Sequence, residues 1–159
     1  MDFLTQLEQT GLGIFVRESP SLLSYPTILF MHTVGLGLLV GASFAIDLRI
    51  LGSGREMALA PMEKFFPVIL AGFWISLLSG ALLFVADAGT LGRNPVFYIK
   101  MACIVLAMVT VRVTRGRILR GPLADHSPAP MLGKIMASAS LLFWVGAITA
   151  GRLTAYIGK

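Results

Sequence analysis

The sequence predicts an all-α integral membrane protein, a four-helix bundle preceded by an N-terminal amphipathic helix at the membrane interface. Three observations lead there. The chain has 159 residues, of which 56% are hydrophobic and 13% charged, with a mean hydropathy of +0.82. Soluble domains average about 25% charged residues, and a soluble fold of this size could not hide so much apolar surface. The apolar residues gather into four stretches of membrane-spanning length. The basic residues lie mostly in the connections, so topology explains the net charge of +5 better than a nucleic-acid-binding face would. A single transmembrane domain over 1–159, embedded in a lipid bilayer, is expected.

The opening "MDFLTQLEQTGLGIF" places Phe3, Leu4, Leu7, Gly11, Ile14 and Phe15 on one helical face and Thr5, Gln6, Glu8 and Gln9 on the other. This predicts an interfacial helix over about 2–16. With Asp2 and Glu8 and no basic start, the stretch does not read as a secretory signal. The breaker-rich "ESPSLLSYP" leads into the first span, about 26–48, and no charged residue occurs from Ser19 to Ile46. The second span, about 65–86, has no charge at all. The third, about 95–113, carries only Lys100 before Arg112, and the fourth, about 135–157, only Arg152. Pro26 and Pro95 stand at helix starts and Pro67 in a first turn, where a missing N–H costs nothing. The connections "GSGREMALAPMEK", "DAGTLGRN" and "RGRILRGPLADHSPAPMLGK" are rich in Gly, Pro and charge. The lone cysteine, Cys103, precludes an internal disulfide and reads as a small packing residue.

Lysine and arginine counts set the orientation. The first and third connections and their flanks hold eight: Arg49, Arg55, Lys64, Arg112, Arg115, Arg117, Arg120 and Lys134. The opposite side holds three outside the spans, Arg17, Arg93 and Lys159. Both termini and the second connection are therefore expected on the periplasmic side. Small residues four apart, Gly37/Gly41, Ser76/Gly80 and Ala147/Gly151, predict close helix packing and a homo-oligomer, with a trimer as the expected number.

The polar residues inside the spans fall at one level. His32, Lys100 and Arg152 each lie five or six residues from the terminal-side end of their span, roughly 8–9 Å deep at the rise of an α-helix. Asp87 ends the second span, and Tyr98 and Tyr156 add hydroxyls, Tyr156 sharing a face with Arg152. Lysine and arginine can snorkel from this depth, and Asp87 can cap a helix. Imidazole has no stem to snorkel with, so His32 needs a partner inside. At the opposite end, Asp47 and Arg49 read as structural, with Arg49 an anchor and Asp47 a partner for Arg112. His126 reads as a solvated loop residue, and Trp74 and Trp144 as packing. Nothing resembles a hydrolytic triad, a paired-carboxylate site, a Cys/His metal spacing or a phosphate loop, and "GLGLLVG" lies inside a hydrophobic span with no strand before it.

"RESPSLLSYPTILFMHTVGLGLLVG", "DLRILG", "FPVILAGFWISLLSGALLFVADA", "NPVFYIK" and "AITAGRLTAYIG" together resemble a family of small four-span bacterial inner-membrane proteins of unknown function. The resemblance covers nearly the whole chain and implies the fold and an inner-membrane location. More distantly, a histidine early in the first span is similar to membrane b-type cytochromes and to the copper-resistance membrane family. Those proteins usually carry several histidines in their spans; this chain carries one.

Two functional expectations follow. In the first, the protein binds haem b and works in electron transfer or redox sensing with an unidentified redox partner. His32 is an axial ligand, and Lys100 and Arg152 pair with the propionates beside Tyr156, Tyr98 and Asp87. The sixth ligand is Lys100, Met101, a small molecule or His32 of a neighbouring subunit. In the second, a non-redox membrane module uses the same polar layer to bind an anionic ligand, a lipid or a partner subunit.

Overall fold

The computed structural model describes residues 3–22, 24–53, 59–120 and 130–157. All regular structure among them is helical: α1 (Phe3–Glu8), α2 (Gly11–Glu18), α3 (Tyr25–Leu51), α4 (Phe66–Ala86), α5 (Ala88–Leu91), α6 (Pro95–Thr114) and α7 (Met131–Ile157). A 3₁₀ segment, Ala60–Phe65, leads into α4, and a π-turn, Arg115–Leu119, continues α6. The helices α3, α4, α6 and α7 are long and apolar enough to cross a membrane, and the chain is a multi-pass membrane protein.

The expected interfacial helix is two helices. Thr10 divides them: its hydroxyl donates to the Leu7 carbonyl at 2.7 Å, closing α1, and accepts from the Gly13 N–H at 3.3 Å, capping α2. The pair packs on the ends of α4 and α5. Gly13 fits there because a Cβ would lie 2.4 Å from the Glu8 carbonyl oxygen and 3.2 Å from that of Val85. Ser24 ties α2 to the start of α3 through its hydroxyl, 2.9 Å from the Phe15 carbonyl oxygen and 2.8 Å from that of Val16.

The spans also run past the limits that charge suggests. Helix α3 continues beyond Asp47 because Arg49 and Ile50 are buried, and it stops at Gly52, whose φ of 117° is left-handed. Helix α7 begins at Met131, and its Gly133 packs on Ile50 and Ile118.

Helices α3 and α4 form one close antiparallel pair and α6 and α7 another; α3 against α7 joins the two. Burial along α7 recurs at Gly133, Ala137, Ser140, Trp144, Ala147, Ala150 and Thr154, at steps of three and four. The core between the pairs is built from Leu39, Ile46, Ile50, Ile69, Ala107, Val111 and Trp144. Trp74, Leu78, Val105, Val109, Leu142 and Val145 point outward, as side chains bathed in lipid should. Four crossings bring both described ends of the chain to one end of the bundle, here called the terminal end.

Candidate functional site

His32 projects from α3 into its contact with α4. Its Nδ1 lies 3.0 Å from the Ser76 carbonyl oxygen and 3.1 Å from Ser79 Oγ. A carbonyl only accepts, so Nδ1 carries the proton. The Ser79 hydroxyl donates to the Ile75 carbonyl at 2.6 Å, which leaves its oxygen to accept from the imidazole. In the neutral ring this is the Nδ1–H tautomer, which leaves a lone pair on Nε2. Glycines let the ring in: a Cβ on Gly80 would stand 3.0 Å from His32 Cε1, and one on Gly35 would stand 2.7 Å from Ser76 Oγ. Ser79 did not figure in the sequence reading, and Ser76 figured only as a small packing residue four before Gly80. The signal was there, since Ser76, Ser79 and Gly80 share one face of a charge-free span.

Lys100 is half-buried on α6, its stem lying along Gly151 of α7; a Cβ there would meet Cε at 3.6 Å and Nζ at 3.8 Å. Its charge is near enough to bear on the His32 imidazole. Among the described residues it has no ion pair. Helices α3, α4, α6 and α7 therefore all contribute to this region.

The other residues of the expected layer stand apart from that pair. Arg152 and Tyr156 do share a face, but it is the outward one: Arg152 is exposed and Tyr156 is 74% exposed. Tyr98 is also exposed and donates its hydroxyl to the Gly92 carbonyl at 2.8 Å. Met101 is exposed to lipid. Asp87 is exposed between α4 and α5. His126 lies outside the described residues.

A second polar group lies toward the opposite end. Asp47 is buried and makes no ion pair with Arg112, whose side chain is exposed, so the expected pairing is absent among the described residues. The Ser140 hydroxyl is near enough to act on the carboxyl, yet Asp47 Oδ2 and Ser140 Oγ both lack a hydrogen-bond partner. Thr114 Oγ1 and the Trp144 indole N–H are likewise buried and unpartnered. Arg115 is engaged elsewhere, lying over the Phe66 ring at 4.7 Å and pairing with Glu63 at 3.4 Å.

Fold and polar interior together define a four-helix, multi-pass membrane protein whose terminal half holds an imidazole on α3 and, near enough for its charge to act on that ring, an ammonium on α6. The model of a family of unknown function, DUF6644, matches residues 21–157, and the chain belongs to that family. No curated protein and no solved structure matches it.

Proposed function

We propose that the protein is a non-redox membrane module that binds the anionic group of a ligand at His32 and Lys100, near the terminal end of the bundle. The observation that carries this reading is Lys100: a half-buried ammonium with no ion pair among the described residues, near enough for its charge to act on His32. A charge withdrawn from water calls for an opposite charge or good hydrogen bonds. A phosphate or carboxylate supplies both to Lys100, and the orientation of His32 leaves Nε2 as an acceptor for a ligand hydroxyl. A lipid reaches this level of the bundle from the side.

Haem b is the second reading, and one observation favours it. The Nδ1–H bond to the Ser76 carbonyl is the outer-shell bond that orients a metal-binding imidazole and directs Nε2 to the metal. Electron transfer would be the chemistry such a group supplies. Only part of the residue set fits: Arg152, Tyr156, Tyr98 and Asp87, the expected neighbours of the propionates, are exposed, and Met101, a candidate sixth ligand, faces outward. The anion reading needs only Lys100 and the His32 ring on which its charge acts.

The same reading places the protein in the bacterial inner membrane, with both termini periplasmic, as a homo-oligomer.

Two measurements on purified protein separate the readings. Phosphatidylglycerol added to protein in neutral detergent should raise the melting temperature of the wild type, and phosphatidylcholine should not. Lys100→Gln should lose most of that rise. Equal responses to the two lipids would sink the anion reading. A Soret band after expression with ample haem, abolished or shifted in His32→Ala, would establish the haem reading instead.

A further inference from the structure

We propose that Asp47 is a proton-binding site whose proton fastens the two helical pairs to each other: the closed bundle holds the carboxyl as its neutral acid, and loss of the proton loosens the packing around it.

The surroundings of the carboxyl cannot solvate a charge. Asp47 is 3% exposed. Ser43 and Ile46 of its own helix, Phe66 of α4, and Val111 and Thr114 of α6 line a void of about 10 Å³ beside it. That volume holds about one water, and half of the lining is apolar. One water does not replace the hydration shell of a carboxylate. From α7, the Ser140 hydroxyl acts on the carboxyl.

No cation among the described residues offsets a charge there. On α3, Arg49 lies two residues on, but the group that acts on the carboxyl is the Ser140 hydroxyl and not a guanidinium. On α6, Arg112 is exposed, and Arg115 lies over Phe66 and pairs with Glu63. Glu63 and Lys64 belong to the 3₁₀ segment before α4, where Arg120 also holds Glu63. On α7, Lys134 stands more than a turn from Ser140. A buried charge without a partner is strongly unfavourable, and burial disfavours the charged form of a carboxyl. The neutral acid avoids that cost and brings a hydrogen to donate. Acceptors are at hand: Ser43 spends its hydrogen on the Leu39 carbonyl at 2.7 Å, so its oxygen only accepts, and Thr114 Oγ1 and Ser140 Oγ are buried without a hydrogen-bond partner among the described residues. Ionisable groups inside membrane spans commonly mark proton sites. The route out is short. Gly52 ends α3 five residues beyond Asp47, roughly 8 Å along the axis, so the proton passes to water at that end. The carboxylate left behind draws water inward. Because α3, α4, α6 and α7 all border it, the contact that opens is the one between the α3–α4 pair and the α6–α7 pair.

Infrared spectra of the purified full-length protein at about pH 6 test occupancy, since exposed carboxyl groups are ionised there. The wild type should show the carbonyl stretch of a protonated carboxyl, and Asp47→Asn should lack it. Absence of the band from the wild type overturns the proposal, and so does its persistence in Asp47→Asn. Thermal unfolding tests the fastening. The unfolded chain ionises Asp47 above about pH 4 while the folded chain keeps the proton, so folding takes up a proton and this contribution to stability falls as pH rises. Asp47→Asn, uncharged at every pH and close in shape, is spared that fall. Its lead in melting temperature over the wild type should widen by several degrees between about pH 5 and about pH 8. A gap that stays constant or closes overturns the proposal. Should Asp47→Asn fail to fold, Asp47→Glu decides: an unmoved carbonyl band overturns the site.

Discussion

Gly72 and Gly37 look alike in the sequence, each a glycine inside an apolar span, and the fold uses them in opposite ways. A Cβ on Gly72 would lie 2.5 Å from the Leu39 backbone nitrogen and 2.7 Å from the Gly35 carbonyl oxygen, while one on Gly37 would meet nothing within 4 Å. Backbone cannot yield as a side chain can, so Gly72→Ala should force α3 and α4 apart. The expected cost is about 1–3 kcal/mol in detergent unfolding, against no measurable loss for Gly37→Ala; equal losses would contradict the packing. His32 makes a second comparison. His32→Ala removes both the imidazole and its hydrogen bonds and should cost about 1–3 kcal/mol. Ser79→Ala takes away one of the two acceptors and should cost less, about 0.5–1.5 kcal/mol. The requirement for a partner at His32 could be read from the sequence, because the desolvation argument needs no structure. The identity of that partner could not. Nor could the facing of Arg152 be read, since a lipid-exposed side of a helix is as apolar as its protein-facing side and leaves no periodic mark.

The elements were more legible than their joints. All four spans stand where charge-free length puts them, with Pro95 opening α6 as its position suggests. The ends moved because burial overrides composition: Arg49 reads as a boundary in sequence but is a buried residue in the last turn of α3. The split between α1 and α2 went unseen because the amphipathic pattern runs through it, and only the hydroxyl chemistry of Thr10 shows the break. The α2–α3 joint supplies a prediction at this scale. Ser24 is fully buried and its hydroxyl is the side-chain clip on the last carbonyls of α2. Ser24→Ala should leave the four long helices intact while weakening the docking of α1 and α2 by about 1–2 kcal/mol. Amide exchange should then quicken in 11–18 and stay unchanged in α3, α4, α6 and α7. Uniformly faster exchange would mean that α2 belongs to the cooperative core. The contacts between Arg17 and Glu8 or Glu18 deserve no such weight: although Glu18 first, and then Glu8, hold the guanidinium more firmly protonated, the group is solvent-exposed, and such pairs contribute little.

At the scale of the whole molecule, assembly and orientation each turn on a surface. Gly37 and Gly41 leave a shallow, small-residue track on the outside of α3, the kind of surface on which membrane helices pack closely. Gly37→Leu should therefore keep the monomer's melting behaviour and lower the mass seen by native mass spectrometry in mild detergent; a monomeric wild type would end that expectation. Orientation follows from charge. With four crossings, the ends of the chain and the α4–α6 connection share one side, and the connections around 52–65 and 115–130 share the other. The second side carries eight lysines and arginines against three on the first, and short basic loops are retained in the cytoplasm. Lys100 and Arg152 are left out of this count because they lie well inside their spans, whereas Arg49, Arg112 and Lys134 lie within about a turn of their helix ends. A reporter enzyme active only outside the cytoplasm should work when fused after Lys159 and fail when fused within 121–129. The reverse pattern would turn the molecule over and present the His32–Lys100 region to the cytoplasmic leaflet. The anionic headgroups within its reach would then be those of the opposite monolayer, so the fusion experiment fixes which leaflet the lipid-binding assay must imitate.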